Sequence, residues 1–524
     1  MPKPEVVVIG IDGATFNLVR PWVEMGYLPA LRDLLQTGVR GTLRSLVPPG
    51  ACPGWKSLST GKNPGQLGVF NWRNRVPGSY AARVVDPASM GAGSDLWTLI
   101  SSAGRKVAVV GEPLVYPPRP VNGVLLTGML TPPDSPFSYP EEFGDEVARH
   151  IGAYLLDPAV ESLPGEDDLL QEQISITINR YQALRYILKS GDYDFAAIYF
   201  TAPDRLQHHF WPPINTKDHV VLKAYQQVDW AIAQIRGLID ADTTMVVASD
   251  HGFSDTERFI HLNQLFSNLG WLVARMTPGG IGPRLGFTRQ NLGRVARRLG
   301  LDRVRARVPE AIKQIVPLGQ FGLDMSRTRA WAWPGGEVFV NLRGREPEGI
   351  VEPGEYEPFR DRIIEGIKDL QDDGRHLDIR VYRREDVYSG PRVDEAPDLV
   401  VDVREPGYCL AGEDSGFDVA AILPGSIFTI NPGRGGRHDT EGIFVAAGPE
   451  VRAGEDVEGA RLLDVAPTIL HLMGLPVPAD VDGRVLPIFR AGSEPANRPV
   501  QFGPGVEEVA GEAAMAGEER ERRP

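Results

Sequence analysis

At 524 residues the chain exceeds an ordinary domain of about 100 to 200 residues, yet α/β enzymes of this size can hold one large sheet, so a single core with a sizeable insertion is the sparing reading. Its composition is globular, 42% hydrophobic and 24% charged, and 55 basic against 69 acidic side chains leave a net charge of −14. That balance excludes a general nucleic-acid binder, which neutralises phosphates with clustered Lys and Arg, and two cysteines, Cys52 and Cys409, are too few for a disulfide framework.

Met1-Pro-Lys-Pro-Glu runs straight into the apolar "VVVIGI" without a cleavage site, and no uninterrupted apolar stretch reaches the about 18 residues that span a bilayer. The expectation is a cytosolic protein with no membrane segment. From there β-branched runs alternate with helical patterns, the signature of a large, mostly parallel sheet between helices. The strand candidates in order are "EVVVIGI", "KVAVVGE", "GVLLTGML", "FAAIYFT", "TTMVVAS", "PDLVVDV" and "GIFVAAG". Helices are predicted over 168–188 and 217–239, where apolar residues recur at three- and four-residue steps. Residues 1–260 read as the first part of an α/β core and 391–490 as the second. Between them, 261–390 reads as an insertion or cap carrying the basic "RQNLGRVARRLGLDRVRARVPE", the strand-like "GEVFVNLRG" and a helix around "YEPFRDRIIEGIKDL". The segment 491–524, rich in Gly, Glu, Ala and Arg without apolar periodicity, is predicted to be disordered.

The chemistry starts at Asp12, where "VVVIGIDGATF" ends its strand; such an acid, taken alone, also suits a helix cap. Asp204 and His208 follow "FAAIYFTAP" at a four-residue step that brings both to one side of a helix. Asp250 and His251 follow "TTMVVA", and His438 lies on a glycine-rich loop before "GIFVAAG". The ends of parallel strands face the crevice where such folds bind ligands. Three Asp and three His there suit two divalent cations about 4 Å apart, the carboxylates offsetting charge and the imidazoles favouring zinc or manganese over magnesium.

With "VIGIDGATF", "STGKNPGQLGVFNW", "YFTAPDRLQHHFW", "SDHGF", "GREPEGIV", "RHDTEGIFVAAGP" and "LLDVAPTILHLMGLPVPADVDGRVL" in this order, the chain resembles the type I phosphodiesterase/nucleotide pyrophosphatase group of the alkaline phosphatase superfamily over about residues 5 to 490. The resemblance implies an alkaline-phosphatase-like core. It also implies one ion held by Asp204, His208 and His438, and another by Asp12, Asp250 and His251. Members carry a Thr or Ser nucleophile two residues before the proline of a "P-A-W" or "P-N-H" segment. Here that segment reads Pro48-Pro49-Gly50-Ala51-Cys52-Pro53-Gly54-Trp55, and Ala51 occupies the nucleophile position. An alanine methyl neither ligates metal nor attacks phosphorus.

Three repairs are open. Pro53 reads as the first residue of a helix, which would put the Cys52 thiol at the cap, where a thiolate is stabilised. A metal-bound hydroxide needs no protein nucleophile. Alternatively, phosphoryl transfer is lost and the metal site survives for binding. A formylglycine at Cys52 does not fit, because the proline follows directly. Asn71 is a candidate for reaching a phosphate oxygen, and Arg205 and Lys56 are candidates for holding a small phosphorylated substrate. The expected function is a phosphodiesterase or pyrophosphatase-like hydrolase with two divalent ions. Its rivals are a phosphoglycerate-mutase-like enzyme, which also needs the missing serine and an inserted domain not apparent in 261–380, and a non-catalytic metal-binding protein for a phosphorylated ligand.

Overall fold

A computed structural model describes residues 4–85, 94–157, 166–212, 218–274, 315–317, 323–333, 335–411, 425–431 and 435–504. The chain divides into two compact units, residues 1–67, 86–254 and 435–524 in the first and 68–85 with 255–434 in the second. The second unit is thus wider than the 261–390 span and takes in a short excursion near residue 75. The basic segment at 289–310 lies outside the described residues.

The first unit is built on nine strands: β1 Val6–Ile11, β2 Val39–Arg44, β3 Val107–Glu112, β4 Gly123–Thr127, β5 Ser138–Tyr139, β6 Phe195–Phe200, β7 Thr244–Ala248, β8 Glu441–Ala447 and β9 Ala460–Arg461. Their order across the sheet is β9-β2-β8-β7-β1-β6-β3-β4-β5. The run from β7 to β4 is parallel. Every residue of β1, β3, β6 and β7 is buried, which is why these segments read as continuous apolar runs rather than alternating ones. β1 lies between β6 and β7, with Val6 opposite both Phe195 and Thr244, so the three strands end nearly in step. β8 runs antiparallel to β7, so it starts at the edge where its parallel neighbours finish.

Helices α1 Phe16–Glu24, α2 Ala51–Thr60, α3 Glu166–Ser190, α4 Ala202–Gln207 and α5 Val220–Arg236 belong to this unit. Leu184 of α3 and Leu222, Tyr225 and Val228 of α5 join β1 and β6 residues in one buried cluster. α5 begins later than the predicted 217 because the His219 imidazole accepts from Val221 N–H and caps it there.

Three expectations are corrected. α2 starts at Ala51 with Gly50 as its cap, so Pro53 is its third residue and Cys52 is inside the first turn, not at the cap. "PDLVVDV" supplies Leu399–Val403, which joins Ala330–Ala332, Glu337–Val340 and Ile379–Arg383 in a separate antiparallel sheet of the second unit rather than the parallel core. The segment after residue 491 is ordered through residue 504: Ser493 caps a helix Glu494–Asn497, and Phe502–Gly503 pairs with Val477–Pro478. Burial of the His471 ring against the Pro495 carbonyl (2.9 Å) explains the order where composition alone suggested none.

In the second unit, helix Tyr356–Lys368 buries Phe359, Ile363 and Ile367. The "GREPEG" turn is braced by charge: Arg345 grips both oxygens of buried Asp398 at 2.6 Å, and Arg75 meets Glu346 at 2.7 Å. Among the described residues no helix is long and apolar enough to cross a membrane.

Candidate metal centre

Asp12 follows β1, Asp204 lies on α4 just past β6, and Asp250 follows β7, so three adjacent parallel strands deliver three acids to one sheet edge. The chain can turn there because Gly13 has a positive φ of 65°; a Cβ on it would sit 3.2 Å from the Asp204 Cβ. His208 follows one helical turn after Asp204, its backbone N–H bonded to the Asp204 carbonyl at 3.1 Å. His438 arrives from the opposite direction on strand Gly436–Asp439, which pairs with Gly252–Asp255 and leads into β8. The antiparallel course of β8 is what returns this distant histidine to the edge.

The six side chains converge. His251 Nε2 lies 3.5 Å from Asp12 Oδ1, 3.3 Å from Asp250 Oδ2 and 3.8 Å from Asp204 Oδ1. Asp204 Oδ1 is 3.3 Å from Nε2 of both His208 and His438, and those two nitrogens approach to 2.9 Å. The His251 and His438 rings stack with centroids 3.7 Å apart. Two overlapping groups, Asp12 with Asp250 and His251, and Asp204 with His251 and His438, each bring their ligand atoms within 4.8 Å of one another.

Whether these residues suit a metal is answered by their unmet bonding. Asp12 Oδ1, Asp204 Oδ1, Asp250 Oδ2 and His251 Nε2 are buried without a hydrogen-bond partner. Burying three carboxylates costs several kcal/mol each unless charge is supplied. Burial, with the neighbouring carboxylates, pushes Asp12 and Asp250 well above the usual carboxylate range. Burial also acts on Asp204, but the His208 and His438 rings outweigh it and hold this acid well below that range. Burial and His438 keep the His251 imidazole neutral, the form that ligates. Carboxylate oxygens beside imidazole nitrogens are a donor set for a divalent cation.

Groups the motifs did not single out orient this edge. Trp55 Nε1–H donates to Asp12 Oδ2 at 3.3 Å, and Ser45 Oγ donates to the Asp250 carbonyl at 2.6 Å. Gln207 Nε2 donates to the Gly13 carbonyl at 2.9 Å, while its own carbonyl accepts from Tyr225 OH at 3.2 Å. The available sequence signal for Trp55 is its spacing, four residues beyond Ala51 and therefore on the same side of α2.

The remaining candidates are placed as follows. Cys52 is 1% exposed, and burial together with Asp12 and Asp250 pushes its thiol up, the reverse of an activated thiolate. Lys56 is committed to Asp95 at 2.6 Å inside the protein. The half-buried Arg205 acts through its charge on Asp12 and Asp157. Asn71 belongs to the second unit, where its amide donates to Glu337 Oε2 at 3.0 Å.

Burial pushes the Glu337 carboxyl up to about 8, against the pull of the Asn71 amide. The folded chain therefore keeps a proton that the unfolded chain releases near the ordinary 4.5, so this group's contribution is full below that pH and is lost as pH rises through about 8. Glu337→Gln keeps an acceptor for Asn71 and cannot ionise. Chemical denaturation should find it more stable than wild type at about pH 9 by on the order of a few kcal/mol, with the gap closing near about pH 4. Coincident denaturation curves at the higher pH would contradict this account of Glu337.

A family model described as Type I phosphodiesterase / nucleotide pyrophosphatase matches residues 6–420. Among solved structures, phosphonoacetate hydrolase from Sinorhizobium meliloti, in complex with phosphonoformate, aligns with a TM-score of 0.52 at 16% identity, covering 89% of this chain and 94% of that one. Murine ectonucleotide pyrophosphatase / phosphodiesterase 5, as an inactive threonine-to-alanine variant in complex with AMP, aligns with a TM-score of 0.48 at 13% identity, covering 91% and 96%. A search of curated proteins found no match.

Proposed function

This chain belongs to the type I phosphodiesterase / nucleotide pyrophosphatase family, and from that premise we propose that it hydrolyses a phosphodiester or pyrophosphate bond of a small phosphorylated substrate. Asp12, Asp250 and His251 would hold one divalent cation and Asp204, His208 and His438 the other. Zinc, with manganese as the alternative, suits the three imidazoles. When bound, such ions neutralise non-bridging and leaving oxygens and acidify water. The observation that carries this reading is the convergence of six side chains, four of whose ligand atoms, Asp12 Oδ1, Asp204 Oδ1, Asp250 Oδ2 and His251 Nε2, are buried without a hydrogen-bond partner.

The chain's own groups supply orientation. The first turn of α2 lies against the acids, a Cβ on Gly54 falling 3.1 Å from the Asp250 Cβ. That turn has no capping side chain, so its backbone N–H groups suit a phosphoryl oxygen. Ala51 has no proton or lone pair to offer, and the Cys52 thiol is held in its neutral form by burial and two acids. We therefore assign attack to water. We place the protein in the cytosol, because two cysteines, Cys52 and Cys409, are too few for a disulfide framework.

Ala51 also supports a second reading, a metal-binding protein that retains a phosphorylated ligand without turning it over. Metal analysis and assays on bis-(4-nitrophenyl) phosphate and its monoester separate the two, alongside Cys52→Ala and Ala51→Thr. We expect two ions per chain, turnover of the diester, and turnover that persists in Cys52→Ala. Loss of activity in Cys52→Ala with the fold intact would transfer attack to the thiol. A silent wild type revived by Ala51→Thr would favour the binding protein, and a chain that takes up no metal would end both readings.

A further inference from the structure

We infer that Trp55 is a positioning residue for Asp12, fixing one carboxylate oxygen so that the other is left for the metal ion; this rests on the reading of Asp12 as a ligand. Asp12 divides its two oxygens. Oδ2 accepts the Trp55 indole N–H at 3.3 Å, whereas Oδ1 has no hydrogen-bond partner and faces His251 Nε2 at 3.5 Å. Both residues are 1% exposed, so water does not compete for either oxygen.

The indole is held where it is. Its ring meets Tyr199 edge-on, with centroids 5.1 Å apart and planes at 87°. The Tyr199 hydroxyl is itself tied to buried Glu112 by a hydrogen bond. On the strand side, Gly10 makes room: a Cβ there would lie 2.8 Å from the indole and 2.3 Å from the Tyr199 ring, closer than side chains approach. Trp55 is therefore wedged between β6 and the last residues of β1, with its N–H directed at the acid that ends β1. It also lies one turn after Ala51, so the helix that opens at the vacant nucleophile position is registered against Asp12 through this bond. An indole N–H only donates, so it orients the carboxylate without becoming a ligand itself. Outer groups that orient ligands in this way contribute about ten- to a hundredfold to metal affinity.

The test is zinc binding to the full-length, metal-stripped chain by titration calorimetry, for wild type, Trp55→Phe, Asp12→Asn and Tyr199→Phe. Trp55→Phe keeps an aromatic ring and removes the N–H. It should weaken one of two zinc sites by about ten- to a hundredfold, leave the other as in wild type, and lower kcat more than it raises KM. Tyr199→Phe keeps the ring edge that meets the indole and loses only the hydroxyl's bond to Glu112, so the indole bond stays and both ions should bind as in wild type. If Trp55→Phe does not fold, a benzothienylalanine introduced at position 55 preserves the indole outline without the N–H and should weaken the same site. Wild-type affinity at both sites in these position-55 variants, or equal weakening of both, would overturn the inference, while loss of one ion in Asp12→Asn keeps the ligand reading. Two ions retained in Asp12→Asn would remove that reading and the Trp55 inference with it.

Discussion

Asp250→Asn is expected to bind one divalent ion instead of two and to lose at least about 10²- to 10³-fold in turnover, the scale for removing one electrostatic stabiliser from a buried site. The same substitution should make the metal-free chain more stable, not less. Asp250 is fully buried, its Oδ2 has no hydrogen-bond partner, and it shares its surroundings with Asp12 and Asp204. Without ions it is a buried acid among acids, and a neutral amide of the same shape relieves that cost. The bond it accepts from Gly13 N–H at 3.3 Å survives, because asparagine keeps a carbonyl oxygen there. Metal content by atomic spectroscopy and melting of chelator-treated protein read both effects. Two ions still bound, or a metal-free melting point below that of wild type, would place Asp250 outside the centre.

Lys56→Met is expected to destabilise the chain by about 3 to 5 kcal/mol, because it strands a buried charge. The Lys56 and Asp95 side chains are 4% and 5% exposed and meet at 2.6 Å. Without the ammonium, Asp95 Oδ1 keeps only the Ser59 hydroxyl at 3.2 Å. Adding Asp95→Asn should recover much of the loss, since a neutral amide tolerates burial better than an unpaired carboxylate. Denaturant unfolding of both variants measures this. The sequence places Lys56 as well for gripping a phosphate as for packing, and the competing outcome is distinct: a raised KM with an unchanged unfolding curve would make it a substrate group.

The contrast between these two residues reflects what a sequence can carry. Asp250 was legible because its neighbours announce it: an apolar run buried on both faces can only be an inner strand, and the acid after it must fall at the strand's end. The same logic put Asp12 and Asp204 past strand ends, and a four-residue helical step put His208 on the side of Asp204. Lys56 was not legible, because its partner Asp95 is 39 residues away and no local period links the two. The partner of Asn71 was equally out of reach, its amide donating to Glu337 on a strand 266 residues later. Trp55 sat in plain view as a core aromatic, and only the 3.3 Å approach of its N–H to Asp12 distinguishes it from one. Cys52 was misjudged through a local rule: proline favours the first helical position, yet here the helix opens two residues sooner, at Ala51.

Six of the nine core strands, and the acids that follow three of them, were legible in the sequence alone, because burial period and strand-end position are local properties. The tertiary structure decided the rest. It turned the last long strand antiparallel so that His438 meets His208 and His251. It sent "PDLVVDV" to the second unit, and it chose which charges cancel inside the protein and which are left facing one another. Those outcomes depend on pairings across tens to hundreds of residues, where the energy lies in packing and desolvation that no stretch of sequence contains by itself.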